Sequence, residues 1–541
     1  MASTPMVIFI ASFIASAFLK QSFPEHTLAN SAFWTGLVIY LFSFSSFFVY
    51  RVIVYPKLIS PLRHIPQPSN PSLLLGQFPR IHREQNGAPH RAWIEEVPND
   101  GLIRYTHIFN SERVMVTSPK ALAEVLVTKN YEFIKPVNIR HGLGRLLGIG
   151  ILLAEGDEHK RQRKSLMPAF SYRHVKDLYP TFWAKAKEGA DAIRKGIDSP
   201  ESSDEKPSDV VNLRDWASRT TLDIIGLAGM GHDFNAIQNP ESELNKIYRQ
   251  VFSPDRGQRA IQLIGLIIPF AIVRRLPLKR NFQINEAAEK IKQVCRRLIA
   301  EKKQKLQKGQ TGTDILSVAL ESSGFSDEDL VNQLMTFLAA GHETTASSMT
   351  WASYWLCRYP EVQQRLREEI RANLPSLSDT DATISSADVD SCHYLHAVCN
   401  EILRLSPPVA LTMRVAANDS SIQGQFIPRG TTIVLSPWAV NTSRELWGDD
   451  AHQFNPDRWM GAGKANSGGA ESNYAMMTFL HGPRSCIGQG FAKAEFACLL
   501  AAWIGRFEIE LADKDYVLDV QSGVTSRPKG MDVKMRAVEG W

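Results

Sequence analysis

The chain has 541 residues, 44% hydrophobic and 22% charged, with a formal net charge of +5; that balance excludes both a disordered chain and a polytopic membrane protein. So small a charge, carried on scattered Lys and Arg, gives a nucleic-acid partner no footprint and leaves only a weakly basic docking face. The six cysteines (Cys295, Cys357, Cys392, Cys399, Cys486, Cys498) form no Cys-x-x-Cys pair, which excludes a disulfide scaffold and a zinc module and fits a reduced, cytoplasm-facing compartment.

Residues 1–30 form a short apolar segment. Its uncharged part, Pro5 to Leu19, would as a helix cover about two thirds of a ~30 Å hydrocarbon core. A second short span, an interfacial helix and a signal-like apolar region are all compatible with it. Ala15-Ser16-Ala17 has the look of a cleavage site, but the basic residues that open a secretory signal are missing, so retention is expected. Ser31 to Tyr50 is twenty residues without a charge and is predicted to cross the membrane as a helix. Arg51, Lys57 and Arg63 follow at once and place the rest of the chain on the cytoplasmic side. Across 51–72, Pro56, Pro61, Pro66, Pro68 and Pro71 predict a hinge of extended backbone, a semi-rigid spacer between anchor and globule.

Residues 73–541 read as one large, mainly helical domain with a small β-sheet. Gly101 to Pro119 holds two β-type runs around Asn110-Ser111-Glu112, a hairpin signature. Polar loops fall at Ser199–Pro207, Gln307–Thr313 and Gly461–Asn473. Asn418-Asp419-Ser420 and Asn441-Thr442-Ser443 match the glycosylation sequon, a frequent pattern given no weight here. The clearest helix starts at the N-cap Ser326, carries Asp327, Glu328 and Asp329 in its first turn, and runs to about Arg358, with Pro360 opening the next. It is apolar nearly all round, which predicts burial. In its middle sits the polar stretch Ala340-Gly341-His342-Glu343-Thr344-Thr345.

Near the C-terminus stands Phe479-Leu480-His481-Gly482-Pro483-Arg484-Ser485-Cys486-Ile487-Gly488, followed by an apolar, helix-like run from Gly490 to about Phe507. A thiolate at a helix N-terminus is stabilised by free N–H groups and the dipole. Gly482 and Gly488 allow a tight turn and the close approach of a flat cofactor, and Arg484 offers that cofactor a cation. A cysteine in an apolar sequence is ordinarily a core residue; the flanking pattern reverses that expectation for Cys486.

The Phe-x-x-Gly-x-Arg-x-Cys-x-Gly pattern resembles the haem-binding loop of the cytochrome P-450 family. The resemblance implies haem b, with Cys486 as the thiolate ligand that favours O–O cleavage, and Phe479 and Gly488 as parts of the cradle. Glu401-Ile402-Leu403-Arg404 resembles the family's Glu-x-x-Arg, with both side chains on one helix face. Phe454-Asn455-Pro456-Asp457-Arg458-Trp459 resembles its Pro-Glu-Arg-Phe segment, from which Asp457 and Trp459 depart. By that resemblance Glu401, Arg404 and Arg458 form a buried network that locks the haem loop. Ala340 to Thr345 resembles the oxygen-activation segment: Gly341 would leave room for dioxygen, and Glu343 and Thr344 would deliver protons. A threonine pair in a helix also simply bonds back to the preceding turn, and His342 is given no role. Haem propionates need cations, and Arg163, Arg414 and Arg484 are expected to supply them, with His159 standing where Trp is usual. Lys160, Arg161 and Lys164 read equally as a basic face for an electron donor or as a solvated helix face.

The positions that match the family's substrate pocket, Phe337, Ala340, Val409, Met413 and Val524, are mainly apolar and imply a lipophilic substrate. The anchor resembles the microsomal type, which implies residence in the endoplasmic reticulum membrane and electrons from NADPH through a separate flavoprotein reductase. The expected reaction places one atom of O2 in the substrate by hydroxylation or epoxidation. Glu158 to Phe170 resembles fungal members, many of which tailor polyketides or terpenoids. Two other functions are weighed: a haem-thiolate isomerase or dehydratase, against which the intact Glu343-Thr344 pair argues, and a non-catalytic haem or lipid carrier.

Overall fold

The computed structural model describes residues 3–541 except 199–208, 253–256, 258–260, 262–263, 266–269, 323 and 380. The loop expected at Ser199–Pro207 therefore lies outside the described residues. The chain begins with a helical hairpin, α1 (Ser3–Ser22) and α2 (Ala32–Val49). The two run antiparallel: the rings of Phe9 and Tyr40 lie 5.3 Å apart and those of Phe13 and Phe33 6.0 Å apart. Gly36 permits the close approach, since a Cβ there would meet Ser16 Oγ at 2.8 Å. Both helices are long and apolar enough to cross a membrane.

The helix does not stop where the prolines begin. It continues from Tyr50 to Ile59 as a π-helix with Pro56 inside it, which corrects the expectation that Pro56 forbids helix. In the i→i−5 ladder of a π-helix the N–H that Pro56 lacks is the one that would serve the carbonyl of Arg51. The segment is also held from outside: the buried side chain of Asn110 donates to the carbonyl of Val52 at 2.8 Å, and Arg104 donates to the carbonyl of Pro56 at 2.6 Å. Nor does the following stretch, expected as a semi-rigid spacer, stand apart from the globule. Leu62 and Ile65 are buried in the core of the main sheet, Arg104 N donates to Pro66 O, and Gln77 bridges Ser69 O and Thr106 O.

The main sheet has five strands in the order β1-β2-β8-β5-β3. The predicted hairpin is β1 (Leu102–Thr106) with β2 (Glu112–Val116), antiparallel, its turn falling at Ile108–Asn110. β3 is Phe133–Ile134, β5 Thr412–Ala416 and β8 Thr432–Leu435; β8 runs parallel to β2 and antiparallel to β5. β4 (Val210–Val211), β12 (Val533–Ala537) and β9 (Phe507–Leu511) make a second sheet. β6 (Ser420–Ile422) with β7 (Gln425–Ile427), and β10 (Val520–Ser522) with β11 (Ser526–Pro528), are separate hairpins.

Helices make up the larger part. Those that shape the site are α3 (Gly156–Leu166), α4 (Tyr179–Asp198), α5 (Leu213–Ile224) and α6 (Glu243–Phe252). They are followed by α7 (Lys279–Gln307), α8 (Asp327–Arg358), α9 (Pro360–Asn373), α10 (His393–Leu405) and α11 (Gln489–Arg506). α8 starts at the predicted N-cap Ser326, which forms a full capping box with Asp329. It runs through the centre of the main core, packed on α5, α7, α10 and α11, so its nearly all-round apolar surface is buried.

Candidate active site around Cys486

Cys486 is presented by a tight loop between Phe479 and the start of α11. Its backbone N–H donates to the carbonyl of Phe479 at 2.9 Å, which closes the loop. Gly482 has φ +76°, and a Cβ there would lie 2.1 Å from the carbonyl oxygen of Leu126; a side chain would displace backbone. Gly488, by contrast, has an ordinary φ of −88° and no protein atom within 3.7 Å of a Cβ, so the protein fold itself does not require glycine there. The Cys486 side chain is exposed although it sits deep in the protein. Burial pushes its thiol pKa up, while the N–H of Gly488 and the guanidinium of Arg163 pull it down.

The cations gather beside this loop, with one departure. Arg414, on β5, and Arg484 are both buried. Burial, with Arg484 nearby, lowers Arg414 to about 10, and burial also lowers Arg484. His159, on α3, is buried and accepts or donates at 3.1 Å to the hydroxyl of Tyr131; burial and the surrounding cations push it down to about 4. Arg163 instead braces the loop, donating to the carbonyl of Ser485 at 2.5 Å and to its hydroxyl at 3.3 Å. The structure adds Lys135, which burial and Arg414 lower to about 7, Tyr131, whose ring lies 4.8 Å from the Arg484 guanidinium, and Glu155. Among the described residues Glu155 is the single carboxylate that pairs with this group, 2.9 Å from Arg484 and 3.8 Å from Lys135. Lys135 follows no motif and is brought in by β3, so sequence spacing had no signal for it.

Such an excess of buried positive charge is costly unless an anion shares it. Arg484 Nε, buried without a hydrogen-bond acceptor, points the same way. A flat group carrying two carboxylates and a metal that takes a thiolate fits these residues, and that group is haem.

The Glu-x-x-Arg network is fully formed. Glu401 and Arg404 have no exposed side-chain surface and share two bonds of 2.8 Å. Arg458 adds 3.1 Å to Glu401 and 2.8 Å to Asp450. Trp459, a departure in the sequence, donates its indole N–H to Glu401 at 2.9 Å. Asp457, the other departure, pairs with Arg365 at the surface. Asn441 carries the network to the haem loop: it bonds Arg404 O, Thr478 Oγ1 and the N–H of Met477. The sequon asparagine is thus wholly buried.

On α8, Gly341 does not face open space. A Cβ there would lie 2.8 Å from Ile225 Cδ1, so this glycine lets α5 and its π-helical extension pack against α8, and the helix continues unbroken. Thr344 donates back to the carbonyl of Ala340 at 2.8 Å, and Thr345 to the carboxylate of Glu495 at 2.8 Å. Burial raises Glu495 well above the carboxylate range. Glu343 accepts from Thr525 at 3.1 Å and is ion-paired with Arg527 of β11. It also lines a polar hollow of about 190 Å³ with Arg214, Asp215, Ser218, Asn245 and Arg249. His342 is buried, bonded to Leu338 O and close to Ser218, in keeping with a packing role. Lys160 and Arg161 are exposed and paired with Asp157 and Glu158.

Among the pocket positions, Phe337 is buried with its ring 5.6 Å from Phe170, and Ala340 and Val409 are half-buried. Met413 packs behind the sheet against the Trp93 and Tyr105 cluster, and Val524 is exposed at the turn before β11.

Fold and site define a helical haem-thiolate oxidoreductase. Residues 66–535 match the family model "Cytochrome P450", and the chain belongs to that family. It is 48% identical to the cytochrome P450 monooxygenase sphH of Aspergillus fumigatus, over 96% of each chain. It is 43% identical to the monooxygenase FUM15 of Gibberella moniliformis, over 95% of this chain and 94% of that one, and 38% identical to buaD of Petromyces alliaceus, over 91% of each. This chain is accordingly a monooxygenase that uses haem.

Proposed function

We propose that the protein is a membrane-anchored monooxygenase of the endoplasmic reticulum, facing the cytosol and fed electrons from NADPH by a separate flavoprotein reductase. Its substrate is a lipophilic small molecule, a polyketide or terpenoid of fungal secondary metabolism. The carrying observation is the cation group of Arg414, Arg484 and Lys135, with the neutral His159 beside it and one carboxylate to balance it, next to the loop of Cys486.

Haem would supply the oxygen chemistry when bound; Cys486 would hold its iron, and the cation group its two carboxylates. Arg163 fixes the Ser485 carbonyl and so the direction of the cysteine side chain. Glu343, anchored by Arg527 and Thr525, meets a hollow whose Asp215 and Arg249 reach the surface, so it can exchange a proton with solvent. Thr344 then has to turn its hydroxyl away from Ala340 O to take that proton on, a cheap rotation for an exchangeable bond of about 1 kcal/mol. The apolar neighbours Phe337 and Phe170 exclude water and favour a lipophilic ligand.

The carbon-monoxide difference spectrum of the reduced protein in microsomes tests the ligand: a strongly red-shifted Soret band is expected, lost in Cys486→Ala. Retention of that band in Cys486→Ala would refute the assignment. For the relay, Thr344→Ala is expected to keep haem and NADPH consumption while product formed per NADPH falls several-fold. Unchanged coupling would remove Thr344 from it.

A further inference from the structure

The cations beside Cys486 call for anionic partners, and His159 can serve such a partner only by pointing a ring N–H at it. Burial first, then Lys135, Arg484, Arg163 and Arg414, hold its imidazole neutral. A neutral imidazole carries a single N–H, so the nitrogen that has it decides whether the ring attracts an anion or repels it. Nδ1 lies 3.1 Å from the hydroxyl of Tyr131, and among the described residues Nε2 has no hydrogen bond to the protein. With the hydrogen on Nδ1, the ring would donate to the phenol and turn a lone pair towards the anion. With the phenol as donor, the hydrogen sits on Nε2 and the ring can donate.

Tyr131 reaches this position through the main sheet. β3 pairs with β5, the strand of Arg414, and Ala417 N donates to Glu132 O at 2.8 Å. Tyr131 and Lys135 are thus held at the two ends of one short strand, whose Phe133 is fully buried. The Tyr131 ring is half-buried, and its centre lies 4.8 Å from the Arg484 guanidinium and 4.8 Å from the Lys160 amine. Its hydroxyl makes no other hydrogen bond among the described residues. The imidazole nitrogen is therefore the one protein acceptor open to the phenol hydrogen.

We propose that Tyr131 is a positioning residue for the haem: its hydroxyl donates to Nδ1 of His159, which fixes the ring hydrogen on Nε2, where it can be donated to a haem carboxylate. The pair thus supplies the donor that the more usual Trp carries in its indole ring. A donor there draws negative charge from the carboxylate and favours the reduced haem. The inference rests on the reading of the cation group as the seat of the haem carboxylates.

Resonance Raman spectra of the ferric, full-length holoenzyme test it, read at the bending modes of the haem carboxylates, which follow their hydrogen bonding. Tyr131→Phe keeps the ring and removes only the hydroxyl. It is expected to shift one of these modes towards weaker hydrogen bonding and to lower the reduction potential. His159→Phe is expected to do the same, and the double variant to go no further. In a His159→Trp background, where the donor no longer depends on a tautomer, Tyr131→Phe is expected to change neither reading. Arg414→Gln is the control and should move a carboxylate mode by itself. If it does so while Tyr131→Phe moves none, the inference is overturned. A Tyr131→Phe shift that persists in full in His159→Trp also overturns it, because the ring then acts by packing alone. If Arg414→Gln moves no mode either, the cations do not seat the haem carboxylates, and the inference fails with that reading.

Discussion

Gly341 shows how far a residue's chemistry can be read without its neighbours. Its place in the oxygen-activation segment made it a spacer for dioxygen, yet the side chain that would collide with a Cβ there is Ile225. Gly341→Ala is therefore expected to destabilise the fold by about 1–3 kcal/mol through overpacking. In an Ile225→Ala background, which lacks both the Cδ1 and the Cγ1 that this Cβ would meet at 2.8 and 2.9 Å, the penalty of Gly341→Ala should be largely recovered. Chemical unfolding of both variants measures it, and no recovery would mean the glycine serves another purpose. Trp459 is the opposite case, a departure from the family pattern that acquires a partner. Its N–H is one of several donors to the buried carboxylate of Glu401, and hydrogen bonds to charged groups contribute about 1.5–3 kcal/mol. Trp459→Phe should lower stability by that order, read as a drop in Tm, while preserving the haem spectrum. Arg484 and Cys486 were legible because their chemistry needs those residue types at that spacing. Lys135 was not, because a lone lysine before a proline carries no pattern.

At the scale of elements, the helices were the most legible. α8 was foreseen from its N-cap to Arg358, since a capping box and an apolar run are local signals. The π-helical continuation through Pro56 was missed because the donors that hold it, Asn110 and Arg104, come from the β1–β2 hairpin. The sheet beside that turn carries a pH liability of its own. His90 and His107 are buried around Arg113, and burial first, then Arg113, lowers each to about 3. His90 also bonds Tyr105 at 3.0 Å. Their folded pKa lies below the unfolded value near 6.5, so the neutral forms stabilise the fold fully above that pH. The contribution is lost as pH falls from about 6.5 towards 3, at about 1.4 kcal/mol per pH unit for each histidine. His90→Gln should make the loss of stability between pH 6.5 and 4.5 distinctly shallower than in the parent chain. An unaltered slope would show that other groups govern acid unfolding.

For the whole molecule, the Glu401, Arg404 and Arg458 network joins α10, the Asn455–Trp459 segment and, through Asn441, the approach to the cysteine loop. Removing one partner of a fully buried ion pair costs about 3–5 kcal/mol, because the other charge is left uncompensated. Arg404→Ala should thus fail to retain haem although position 404 is nowhere in the loop, and a normal carbon-monoxide spectrum in that variant would refute this coupling. The family, the cysteine loop, the ionic network and the apolar N-terminal runs were legible in the sequence alone, because each rests on residue types at short, fixed spacings. The tertiary structure decided the rest: that Arg163 braces the loop, that Lys135 and Glu155 join the cation group, that Glu343 is tied to Arg527, and that the anchor is seated in the sheet. Each of these depends on partners distant in the chain, and such partners are chosen by packing and by the need to satisfy buried charges and carbonyls.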